Sequence, residues 1–159
     1  MATTRSVRPM RDQVTVHMEA SPAEVWALVS DVTRIGEFSP ETFEAEWLDG
    51  ATGPAVGAKF RGHVKRNGVG PIYWSPCEVT ACEPERIFEF AVGSAAKPIN
   101  TWRYELEPSG EGTSVTESYE LSSNIATKIY WTLLGWARGK TNRTGMEQTL
   151  ERIKAVVEA

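Results

Sequence analysis

The stretch at 141–158, TNRTGMEQTLERIKAVVE, constrains the fold more than any other. Met146, Leu150, Ile153 and Val157 recur at steps of four, three and four, the spacing of one apolar face on an α-helix. Val156 widens that stripe, and Glu147, Glu151, Arg152, Lys154 and Glu158 point away from it. At 1.5 Å per residue the segment makes a rod of roughly 27 Å. A helix with one apolar stripe has to bury it against another element. Nothing else in the chain carries an equally long helical pattern.

The covering surface comes from strand-like runs. Gln13–Ala20 alternates, with Val14, Val16 and Met18 on one face and Thr15, His17 and Glu19 on the other. Ser21-Pro22-Ala23-Glu24 then combines an N-cap serine, a proline at N1 and a glutamate at N3, a capping box that starts a short helix through Val25, Trp26, Leu28 and Val29. Asp31 caps a second short helix, Val32–Ile35, which Gly36 is expected to end. Period-two patterns resume at Thr42 and continue in Lys59–Lys65, Tyr73–Cys82, Ile87–Val92, Thr101–Glu107 and Thr113–Leu121. Pro76 predicts an irregularity or an edge within its run. Most gaps are short, so the strands are antiparallel neighbours. Seven strands about 4.8 Å apart span roughly 29 Å, which the closing helix can cross. The expected architecture is α+β: a seven-stranded curved antiparallel sheet around a long C-terminal helix, with two short helices after the first strand.

The 159 residues favour one domain, read as an arm over residues 1–12 and a ligand-binding domain over 13–159. A net charge of −4 gives no electrostatic footprint for nucleic acid. The basic N-terminus has no apolar run behind it, and Ile125–Trp136 is too short to span a bilayer, so the expected location is cytoplasmic, without integral membrane contact. Cys77 and Cys82, if on one strand, lie about 16 Å apart, beyond disulfide reach. They read as reduced packing residues, and no metal or cofactor is expected.

Several strings carry a resemblance: ASPAEVWALVSDVTRIGEFSP at 20–40, WLDGATGPAVGAKFRG at 47–62, CEPERIFEF at 82–90 and TWRYELEPSGEGTSVTESYEL at 101–121. With the order of elements, they make the chain resemble the START-like (SRPBCC) superfamily, specifically its polyketide cyclase/dehydrase and lipid transport family, with the helix-grip layout of Bet v 1-type proteins. That resemblance implies a cavity between sheet and helix. Its members range from lipid and hormone binders to aromatic cyclases.

No phosphate-cradling glycine loop, HExxH, EF-hand loop or GxSxG occurs. His17 and His63 both fall on the wetter strand faces, so a serine or cysteine triad has no base. The chain instead carries an aromatic surplus on inward parity: Phe43, Trp47, Phe60, Tyr73, Phe88, Phe90, Trp102, Tyr104 and Tyr119. These rings either pack as ordinary core or line a ligand site, since such sites are themselves largely aromatic. The expected ligand-binding set is Trp47, Phe60, Tyr73, Phe88, Phe90, Trp102, Tyr104, Glu117, Tyr119, Met146 and Leu150. Glu117 is the exception in polarity, an inward carboxylate between Val115 and Tyr119 that must be paired, hydrogen-bonded or protonated. Its structural reading is a hydrogen bond to Tyr104, Trp102 or water; its functional reading is an acid, a base or a ligand anchor. No catalytic residue is assigned beyond it.

The expected function is binding of a small hydrophobic or amphipathic molecule, such as a lipid or polyketide-like compound, in a cavity of several hundred Å³. One alternative is a polyketide cyclase or dehydratase using Glu117 and a cavity tyrosine. Another is an interaction module with a filled core. Ile125–Trp136 reads as a lid, a packed helix extension or a homodimer patch. Arg138, Lys140 and Arg143 oppose the macrodipole of the long helix, as an anionic ligand group or a solvated charge run would allow.

Overall fold

The computed structural model describes residues 11–65, 71–122 and 142–159. Strand β1 (Arg11–Met18) begins two residues before the alternating run and leads into helix α1 (Pro22–Val29). The capping box is formed: Ser21 Oγ accepts from the Glu24 N–H at 3.2 Å, and Glu24 Oε2 accepts from the Ser21 N–H at 3.0 Å. Asp31 caps a 3-10 helix, Val32–Glu37. This helix runs through Gly36 instead of ending there. Gly36 is needed for another reason: a Cβ at this position would sit 2.2 Å from the Phe43 carbonyl oxygen.

The remaining strands are β2 (Thr42–Trp47), β3 (Lys59–Lys65), β4 (Ile72–Glu83), β5 (Ile87–Gly93), β6 (Pro98–Ser109) and β7 (Gly112–Leu121). They form one antiparallel sheet in the order β1-β7-β6-β5-β4-β3-β2. Residues 142–157 form the closing helix, α2. Its Leu150 and Ile153 are fully buried in one cluster with Val25 and Leu28 of α1 and Phe88, Leu106 and Val115 of the sheet. Burying each such side chain contributes about 1.5–3 kcal/mol. The last turn is tied to the end of β1, where Lys154 Nζ donates to the His17 carbonyl at 3.0 Å and Glu158 Oε1 accepts from the Glu19 N–H at 2.8 Å.

Two local expectations change, and the edge allowed for at Pro76 is met. A register shift between Thr42 and Glu44 makes Phe43 a bulge residue. Phe43 therefore leaves the inward face, lies 46% exposed and packs on His63 with ring centroids 4.4 Å apart. A second shift, between Val79 and Ala81, moves Ala81 opposite Glu89 and turns Cys82 toward the core. Pro76 causes no break in the β3–β4 register, and the β4–β5 ladder starts only at Cys77. One side of β4 thus has no ladder at the residue that lacks an N–H.

Candidate functional site

The sheet's register stacks inward residues in rows across neighbouring strands. One row runs Glu117 (β7), Tyr104 (β6), Phe88 (β5); the next runs Tyr119, Trp102, Phe90, Val79. A third brings Asn100, Val92, Cys77, Phe60 and Trp47 together. Over part of this surface α2 presents Asn142, Gly145, Met146 and Thr149, and the segment Ser39–Thr42 closes a side. Between them lies a cavity of about 160 Å³. It is smaller than the several hundred Å³ expected, because Leu150 and Ile153 fill the other half of the concave face.

Of the residues expected to bind ligand, Phe60, Tyr73, Phe90, Trp102, Tyr104, Glu117 and Met146 line this cavity. Trp47 lies behind Phe60, edge-on with centroids 5.7 Å apart. Phe88 is 1% exposed and packs between Trp26 and Phe90. Tyr119 is buried against Trp102 at 5.3 Å, and Leu150 belongs to the solid core. These four support the wall without lining it.

The lining also contains polar residues that the apolar patterns do not reveal: Asn100, Asn142, Thr149, Ser39 and Glu41. Asn100 has the parity of Trp102 and Tyr104, so extending β6 back to Pro98 would have found it. Asn142 and Thr149 fall on the buried side of α2, between the apolar positions. Thr149 Oγ1 donates to the Gly145 carbonyl at 2.8 Å. Arg143 points elsewhere, its guanidinium 2.9 Å from Asp12 Oδ1 and 3.6 Å from Glu147. That pairing answers its charge without an anionic ligand. Arg138, Lys140 and the segment Ile125–Trp136 lie outside the described residues.

The polar centre of the site is Glu117 with Tyr104. The Tyr104 hydroxyl donates to Glu117 Oε1 at 3.1 Å. Glu117 is 4% exposed, and its Oε2 has no hydrogen-bond partner among the described residues. Burial disfavours the charged form and pushes the carboxyl up to about 8, although the tyrosine bond pulls the other way. Burial, with the carboxyl alongside, pushes the Tyr104 hydroxyl well above its ordinary range. Near pH 7 the pair is therefore neutral. A second orphaned atom, Asn100 Oδ1, sits in the same lining. The Cys77 thiol, raised by burial to about 12, is not a nucleophile at neutral pH. Among the described residues no cluster of His, Cys, Asp and Glu has the makings of a metal site, and no helix is long and apolar enough to cross a membrane.

Comparison with known proteins agrees with this architecture. The family model described as polyketide cyclase / dehydrase and lipid transport matches residues 11–158. A polyketide-cyclase-like protein from Corynebacterium glutamicum is 30% identical, with a TM-score of 0.67 over 96% of this chain and 93% of that one. A protein from Thermus thermophilus shares 19% identity at a TM-score of 0.67, covering 92% and 96% of the two chains. One from Nitrosomonas europaea shares 12% at 0.67, covering 93% and 94%; these two likenesses speak for the fold alone. Among curated proteins no sequence match was found. The family match over nearly the whole length and the helix-grip arrangement together show that this chain belongs to the polyketide cyclase/dehydrase and lipid transport family.

Proposed function

We propose that the protein binds a small, mainly hydrophobic molecule in the cavity between the sheet and the first half of α2. The observation that carries this reading is a ring-lined hollow whose walls hold two buried polar atoms without protein partners. A buried polar atom left unpaired costs about 1–3 kcal/mol, a cost that a ligand with matching groups removes. The apolar walls supply affinity, and the polar atoms orient what enters. Native mass spectrometry of freshly purified protein tests the reading. A retained small molecule, or saturable uptake of added ring compounds, is the expected result. Failure of every such compound to bind would point to the filled-core interaction module.

One observation favours a second reading, a cyclase or dehydratase. A carboxyl that titrates near 8 is matched to moving protons at neutral pH. In that case Glu117→Gln abolishes turnover of a polyketide-like substrate and leaves its affinity nearly intact. In the binding reading no turnover is found with either protein.

A further inference from the structure

The two atoms without a partner among the described residues belong to neighbouring strands, Asn100 on β6 and Glu117 on β7. Asn100, Trp102 and Tyr104 occupy alternate positions on β6, all in the cavity lining, and Glu117 stands opposite Tyr104 in the ladder. Four residues of β6 separate Asn100 from Tyr104, the ladder partner of Glu117, a backbone span of about 13 Å. A ring substituted at opposite ends, with a hydrogen bond of about 3 Å at each end, is a ligand of the right scale for that span. The volume agrees, because a cavity of about 150 Å³ holds benzene, and this one has about 160 Å³.

The two ends are chemically unlike. The Tyr104 hydroxyl donates to Glu117 Oε1, so the carboxyl proton falls to Oε2, the atom left without a partner. The titratable groups that share its cavity lining are Tyr104 from β6, Tyr73 and Cys77 from β4, and Glu41 ahead of β2, and of these Tyr104 bonds it directly. From α2 come Asn142, Met146 and Thr149, none titratable, and β1 places Val14 opposite Glu117. No lysine, arginine or histidine is among the described lining residues, so no cation holds the carboxyl ionised. Glu117 thus offers a donor at one end, and Asn100 Oδ1 offers an acceptor at the other.

We propose that the cavity takes an uncharged one-ring ligand substituted at opposite ends, its carbonyl oxygen received by Glu117 and a hydroxyl or amino hydrogen received by Asn100. This rests on the binding reading above and specifies its ligand class. It excludes ammonium compounds, which need an ionised Glu117, and ligands with no polar group at either end.

Calorimetric titration with para-aminoacetophenone tests it, because that compound is neutral on both sides of the carboxyl's titration. The comparators are para-ethylacetophenone, which lacks the donor, para-ethylaniline, which lacks the carbonyl, para-methylbenzylamine, which is a cation, and para-xylene. The expected result at about pH 6.5 is about tenfold tighter binding of para-aminoacetophenone than of any comparator. Raising the pH to about 9.5 ionises Glu117 and weakens that binding about tenfold, while para-ethylaniline is not weakened. Glu117→Gln abolishes the pH response, since its amide does not titrate. Asn100→Leu erases the preference over para-ethylacetophenone. Equal affinities across the set, tightest binding of the cation, or a pH response that survives Glu117→Gln would overturn the proposal. The comparator series alone decides it if a variant does not fold. Binding of para-xylene without discrimination would leave the binding reading standing and remove this one; no binding by any compound would remove both.

Discussion

Glu117 holds a proton in the folded chain that the unfolded chain has released. Its folded value of about 8 lies above the ordinary carboxylate range, so between those limits the native state binds more protons than the unfolded state. Stability therefore falls as pH rises through this window, levels off above it, and is unaffected by Glu117 below it. Glu117→Gln removes this dependence. The variant is expected to exceed the wild type by on the order of a few kcal/mol at about pH 8 and to match it near pH 4. Thermal melts across that range check it; parallel curves for the two proteins would show that Glu117 is not the group concerned. The inward position of Glu117 was legible because β7 alternates without interruption from Thr113 to Leu121. Its partner Tyr104 was among the residues that alternation allowed. Asn100 was not legible, since Gly93 and Pro98 read as a break and the strand resumes before the pattern does.

At the scale of elements, the two bulges define where periodicity stops being a guide. A single extra residue puts the face assignments on its two sides out of step. This is why Thr42 lines the cavity while Phe43 lies on the outside with His63. The sequence has no local mark for either bulge. The helix starts at Ser21 and Asp31 were better written, because capping is local chemistry, whereas the stop expected at Gly36 was not. Two glycines can be tested here. Gly36→Ala drives a methyl into the Phe43 carbonyl and is expected to cost about 1–3 kcal/mol in urea unfolding, by prising the 3-10 helix from β2. Gly145→Ala behaves oppositely. Among the described residues its Cβ would meet only the Pro40 ring at 4.0 Å, and alanine inside a helix gains about 0.5–1 kcal/mol over glycine. The same methyl enters the cavity lining, so the variant is expected to be more stable and to bind ring compounds less well.

Across the whole molecule, α2 performs two different tasks along its length. Met146 and Thr149 face the cavity, while Leu150 and Ile153 join α1 and the sheet in the solid cluster. Leu150→Ala is expected to cost about 2–5 kcal/mol, measured by denaturant unfolding. A cost below about 1 kcal/mol would mean that the cluster collapses easily around the lost side chain. The apolar stripe predicted the docking of α2, because burial follows from hydrophobic spacing. It did not predict that the hollow is confined to one end, because filled and empty volume depend on how three rows of side chains meet from different strands.

That asymmetry separates what keeps the protein folded from what it recognises. Substitutions around Met146 or Ser75, which lie outside that cluster, alter the shape of a receptacle without removing a side chain from the clamp formed by Leu150, Ile153 and α1. On the binding reading, a lineage built this way can exchange one small molecule for another in few steps, through lining positions outside the shared wall of Phe60, Cys77 and Tyr104.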